Sequence, residues 1–180
     1  MAIHQIHIRY DRPEDRLLLR ISTTDNYEFR FWLTRRFTKR LWKMLVQMLE
    51  WDDAVRQQMD PASRHAVLDL QHAGYSQQGD YSREFEEGTP GSPRQLLLGE
   101  APVLVATAHG RKRENGLQVL TLKPAQGKGM NITFNTKLLH MFVRLLRQHV
   151  ATTDWDLKLE LYQGSQDPAS ILETRPRTLN

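Results

Sequence analysis

Six basic side chains, Arg30, Arg35, Arg36, Lys39, Arg40 and Lys43, fall in a stretch of the chain that contains no acid. Cations at that density are suited to tracking phosphates, because each neutralised phosphate releases condensed counterions. Arg20 and Trp32 extend the set, since arginines beside an indole on an open strand face are what a base-stacking platform requires. These eight residues are the expected interface for nucleic acid, single-stranded by the stacking argument. A solvated helix face has the same composition as the basic cluster, and burial of Trp32 under a neighbouring segment is the competing expectation for that residue. Arg35 and Arg36 also fall where a first helical turn is expected. There the helix dipole disfavours each cation by a few tenths of a kcal/mol up to about 1.

Other chemistries find less support. The chain has no cysteine, which excludes disulfides, thiol catalysis and thiolate metal sites. Its seven histidines have no metal-ligand spacing: His4 and His7 point to opposite faces of one strand, His65 and His72 lie two turns apart, and His140 and His149 have no carboxylate close in sequence. There is no Gly-x-Ser-x-Gly elbow, and Lys123 with Gly127, Lys128 and Gly129 matches neither a phosphate loop nor a dinucleotide fingerprint. No catalytic residue, metal or cofactor is therefore expected. Arg111, Lys112 and Arg113 form a second basic spot at a hairpin tip.

The elements that must position these residues follow from periodicity. Ile6 and Ile8, then Leu17, Leu19 and Ile21, then Phe29, Phe31 and Leu33, alternate with polar residues and predict a three-stranded antiparallel meander. Asp25 and Asn26 supply a turn. At Thr34, an expected N-cap, the spacing changes to the helical one of Phe37, Leu41, Leu45 and Leu49, predicting a helix that ends near Trp51 or Val55. Asp60 and Pro61 start a weaker helix that Gly74 is expected to end, and residues 75–93, with Gly79, Gly88, Gly91, Glu84, Glu86 and Glu87, read as a long loop.

Order returns at residues 95–98 and 103–108, and Asn115-Gly116 signals a two-residue hairpin. Residues 117–122 are apolar on both faces and are expected to be better covered than residues 17–21. Met130, Ile132 and Phe134 alternate, a helix capped at Asn135 or Thr136 carries Leu138, Phe142, Leu145, Leu146 and Val150, and Leu157, Leu159 and Leu161 predict a last strand.

The two halves align without a gap at an offset of 101 residues. Leu19 meets Leu120, Phe31 meets Ile132, and Phe37, Leu41, Leu45 and Leu49 meet Leu138, Phe142, Leu146 and Val150. The dense charge is largely lost in the second copy: Arg36, Lys39, Arg40 and Lys43 meet Lys137, His140, Met141 and Arg144. This order, meander then helix, twice, is similar to that of Pur-type repeats and more loosely of Whirly-type proteins, which bind single-stranded nucleic acid on sheet surfaces. The likeness is one of element order and involves no shared motif.

The expected fold is α+β, a β-β-β-α unit used twice, with two sheets around a pseudo-twofold axis. One domain spans residues 1–164, with repeats at about 1–55 and 95–164 and a helix-and-loop insertion at 56–94. Residues 165–180 read as a flexible tail. A formal charge of +4 and a pI near 9.5 favour anionic partners. The expected function is non-catalytic binding of nucleic acid, single-stranded by the stacking argument. The alternative is an interaction or assembly protein that docks an acidic protein or forms a homodimer, and an enzyme, which would need a deep polar pocket between the halves, is the third and least favoured reading. Residues 1–10 hold His4, His7 and Arg9 with no apolar run, and no stretch reaches the roughly 18 to 20 apolar residues of a spanning helix. No membrane role and a cytoplasmic location are expected.

Overall fold

The computed structural model describes residues 2–81, 83–88 and 92–161. In chain order its elements are β1 (Ile3–Asp11), β2 (Arg16–Thr23), β3 (Tyr27–Thr34), α1 (Arg35–Glu50), α2 (Asp53–Arg56) and α3 (Pro61–Ser76). Then come β4 (Gln95–Leu96), β5 (Val103–Lys112), β6 (Gln118–Pro124), β7 (Met130–Phe134) and α4 (Thr136–Val150). The protein is α+β, with seven strands and four helices among the described residues. None of those helices is long and apolar enough to cross a membrane.

The expected pair of sheets is a single mixed sheet, ordered β1-β2-β3-β5-β6-β7, with β4 also on β3. Its junction is parallel: Phe31 pairs with Val103 and Trp32 with Leu104, while every other path pairing is antiparallel. Joining β3 to β5 occupies two edges that would otherwise present unpaired amides and carbonyls. The apolar positions of the strands then share one face. Leu17, Leu19, Ile21, Phe31, Leu33, Leu120, Ile132 and Phe134 are completely or almost completely buried there, under Leu41, Leu45 and Met48 of α1 and Phe142 and Leu146 of α4.

Each long helix crosses to the other triplet of strands. α1 lies mainly on β5 and α4 on β1, and the two helices touch each other. The approach is close at Gly110, where a Cβ would stand 2.9 Å from Met44 Sδ and 3.0 Å from Met48, so that the ends of those flexible side chains would have to shift. Both helices start on a capping side chain: Thr34 Oγ1 accepts from the Phe37 amide and Asn135 Oδ1 from the Leu138 amide.

Several local expectations are corrected. α1 ends at Glu50 with Trp51 as its C-cap, at the first of the two expected ends, and Val55 belongs to a new short helix that Asp52 caps by accepting from the Ala54 amide. α3 runs through Gly74 to Ser76, past the glycine expected to end it. The Asn115-Gly116 turn spans residues 113–117, with Gly116 at φ 78° and the Arg113 amide bonded to the Leu117 carbonyl. Residues 157–161 form no strand. Leu159 and Leu161 are buried in an irregular segment where the Glu160 carbonyl accepts from Trp42 Nε1 at 2.7 Å. β2 is covered at least as well as β6, since Leu17, Leu18, Leu19, Ile21, Ser22 and Thr23 are all buried. The expected tail at 165–180 lies outside the described residues.

Candidate nucleic-acid interface

α1 presents Arg35, Arg36, Lys39, Arg40 and Lys43 to solvent because its apolar stripe, Phe37, Leu41, Leu45, Met48 and Leu49, is committed to the core. From Arg36 to Lys43 the ridge extends about 10 Å at 1.5 Å per residue. Among the described residues none of the five makes an ion pair. Arg35 is near enough to Asp15 to help hold its carboxyl low, after the hydrogen bonds from Trp155 and Tyr10. The helix has no acid in its first turn and no base in its last, so its charges run against its dipole.

Trp32 projects from the other side of the sheet, the outer face, because it alternates with the buried Phe31 and Leu33. It is half-buried, paired in register with Leu18 on one side and Leu104 on the other. Leu104 is 46% exposed. The outer face and the ridge meet only at the rim, where β3 passes into α1. A shallow depression of about 460 Å3 lies there, lined by Thr34, Leu104, Ala106, Pro124 and Ala125. Of the second basic spot, Lys112 is engaged: its Nζ donates to the Trp51 carbonyl at 2.7 Å and to Asp53 at 2.6 Å.

Arg20 and Arg30 share the outer face with Trp32, but their charges are already met. Both donate to Glu28, which is 2% exposed, Arg20 Nε at 2.8 Å and Arg30 Nε at 2.6 Å. Arg20 also makes a two-bond pair with Glu87, at 2.6 and 2.7 Å, and lies 3.9 Å from the centroid of the Phe85 ring. Burial alone would raise the Glu28 pKa, and the hydrogen bonds from the two guanidiniums outweigh it and hold it low. Its bonds to Glu87 and then to Glu28 raise Arg20 despite its burial.

Residues 83–88, expected as free loop, thus lie on the outer face of β1–β3. His4 bonds Glu86 at 2.9 Å, and the Gln5 side chain donates to the Glu84 carbonyl and accepts from the Glu86 amide. The alternation of Glu84, Glu86 and Glu87 with Phe85, opposite His4, Arg20 and Arg30, was the available signal for this docking.

The structure also joins two histidines that sequence spacing treats separately. His72 of α3 and His140 of α4 meet at 3.2 Å between their Nδ1 atoms, and both are buried, His140 completely. Burial, with Arg147 and Arg144 nearby, lowers His72 to about 4. Burial, with His72, lowers His140 to about 4, and Asp52 offsets this only in part. No group of three potential ligands able to hold a metal ion occurs among the described residues. Compared with protein-family models, curated proteins and solved structures, the chain matches nothing.

Proposed function

We propose that the protein binds single-stranded nucleic acid along a path from Trp32 and Leu104, over the rim depression, onto Arg35, Arg36, Lys39, Arg40 and Lys43. The observation that carries this reading is a ridge of five exposed cations that make no ion pair among the described residues, two of which, Arg35 and Arg36, sit at the helix end where the dipole disfavours them. A local rule broken without a structural return marks a functional surface. Phosphates would follow the ridge, and a base would stack on Trp32 or enter the depression, whose apolar walls suit a ring. The reading includes a β-β-β-α unit used twice, supported by the element bounds. At an offset of 101 residues, β2, α1 and the caps Thr34 and Asn135 coincide with β6 and α4 to within about a residue. A single domain, action in the cytoplasm and the absence of catalysis belong to the same proposal.

The experiment is fluorescence anisotropy of a labelled oligonucleotide, single- and double-stranded, across salt. Binding should weaken steeply with salt, with a slope set by the number of phosphates neutralised. The triple variant Arg36→Glu, Lys39→Glu and Lys43→Glu should abolish it. Trp32→Ala should weaken it by about 1 to 3 kcal/mol, the worth of one stacked base. No binding at low salt, or retention by the triple variant, would sink the reading. An assembly protein is the second reading, favoured by Leu70 at 76% exposure on α3 and Leu97 at 55%. Concentration-dependent dimerisation in light scattering, abolished by Leu70→Lys, would decide for it.

A further inference from the structure

A nucleic acid strand that leaves the rim over Trp32 meets Arg30 and then Arg20 on the same outer face, and residues 83–88 lie in its way. The chemistry of that segment is unlike that of a passive cover. Two guanidiniums face one buried carboxylate, Glu28, so the Arg20–Arg30–Glu28 group by itself carries a net positive charge and calls for one further anion. Glu87 supplies it with a two-oxygen pair on Arg20. Phe85 supplies a ring over the same guanidinium, at 3.9 Å. An anion in the guanidinium plane and a ring on its face are what a phosphate and its neighbouring base offer an arginine.

We infer that residues 83–88 hold the place of a phosphate and a stacked base on the outer face of β1–β3, and that single-stranded nucleic acid displaces them to extend from Trp32 onto Arg30 and Arg20. This rests on the nucleic-acid reading above and adds its regulation. The segment is fit for displacement. The Glu87 side chain is 65% exposed and that of Glu86 48%, so their ion pairs are screened and hold weakly. Glu28, by contrast, is 2% exposed and stays with the sheet. The site therefore keeps one built-in anion and exchanges the other. The bonds of Gln5 go to the backbone of Glu84 and Glu86, so they set the path of the segment without depending on its side chains.

The test compares oligonucleotide affinity in the full chain and four variants. Glu84→Gln with Glu86→Gln and Glu87→Gln should bind about threefold to fivefold more tightly than the unaltered protein, the worth of one exposed ion pair. Its salt slope should steepen by about one phosphate. A control with the same change in net charge, Asp69→Asn with Glu100→Gln and Glu114→Gln, should gain less than about twofold. Phe85→Ala should gain severalfold with no change in charge, and adding Arg20→Ala to the first variant should remove its gain. Equal affinity of the first variant and the control, no effect of Phe85→Ala, or a gain that survives Arg20→Ala would each overturn the inference. Thermal midpoints measured alongside separate a loss of folding from a change in binding, and Phe85→Ala gives an independent reading. If the first variant matches its control while the Arg36, Lys39 and Lys43 reversal abolishes binding, this inference falls and the α1 interface stands. If no variant binds an oligonucleotide, both fall, and capture of a Glu-Phe-Glu-Glu peptide by the first variant would assign the face to acidic peptides instead.

Discussion

α1 and α4 hold corresponding places in the chain and bury the same stripe, yet their remaining faces differ in charge density. Leu41, Leu45 and Leu49 of α1 match Phe142, Leu146 and Val150 of α4, all buried. Lys39 of α1 is exposed, whereas His140, its counterpart at the 101-residue offset, is completely buried. The cause is α3, which packs mainly on α4. On the helix that α3 covers, two of the four matched cations are replaced by uncharged groups, the buried His140 and the half-buried Met141, while the outward face of α1 keeps five cations. α4 also places Arg147 and His149 in its last turn, in agreement with its dipole, while α1 has its cations at the opposite end. Both helices carry a cation in a first turn that holds no acid, and only α4 offsets this with basic residues in its last turn.

The comparison breaks most sharply if the two positions are exchanged. His140→Lys places an ammonium in a completely buried site beside His72 and should destabilise the protein by about 3 to 5 kcal/mol, the usual penalty for an unpaired buried charge. Lys39→His, on the exposed face, should change stability by less than about 0.5 kcal/mol. Urea unfolding at pH 7.5 measures both. Comparable losses at the two sites would show that α3 does not distinguish them.

Acid should undo the covered helix first. An unfolded imidazole titrates near 6.5, while His72 and His140 are lowered to about 4 by burial and by their cationic surroundings. The unfolded chain therefore binds more protons between those values, and stability falls as the pH drops from about 6.5 towards 4. The groups facing the pair are Arg144 and Arg147 of α4, which oppose protonation, Asp52 before α2, which favours it, and the Tyr75 ring of α3. The first imidazole should account for a loss of about 2 to 3 kcal/mol across the window. His72→Leu with His140→Met should flatten the profile there. An unchanged pH profile would mean that other groups govern acid unfolding.

The parts of this architecture that depend on local pattern were legible in sequence, and those that depend on partners were not. Alternation located β1–β3 and β7, and the change of period at Thr34 located α1, because these patterns reflect which face of a single element is buried. Nothing local distinguishes two sheets from one: the joining of Phe31 to Val103 crosses most of the first half and leaves no mark on either strand. Leu157, Leu159 and Leu161 alternate as a strand would, but the backbone partner there is the Trp42 indole. The site divides the same way. The cations of α1 were legible because exposure follows from the stripe they oppose, whereas the fate of Arg20 and Arg30 depends on Glu28 and on a segment some 60 residues away. His72 and His140 each looked isolated because their contact is made between two helices.

The shared feature of the two helices predicts equal, smaller effects. Thr34→Ala and Asn135→Ala each remove a side chain that accepts a first-turn amide, and each should lower stability by about 1 kcal/mol. A loss at only one cap would mean that the two helix starts are not equivalent.

The smallest effect separates structure from use most directly. Arg36 is exposed, unpaired among the described residues, and sits in a first turn that contains no acid. Arg36→Glu replaces an unfavourable charge at the positive end of the dipole with a favourable one, and should raise stability by about 0.3 to 1 kcal/mol at low salt. The same substitution removes one phosphate contact and repels another, so oligonucleotide affinity should fall while the thermal midpoint rises. On α4 the matching Lys137→Glu makes the same electrostatic improvement and should raise stability similarly without touching binding. Opposite signs for stability and affinity at Arg36, with a single sign at Lys137, would locate the functional difference between the helices in their charge. If Arg36→Glu left affinity intact, the cations of α1 would be a solvated face, carrying a small electrostatic disadvantage for no return.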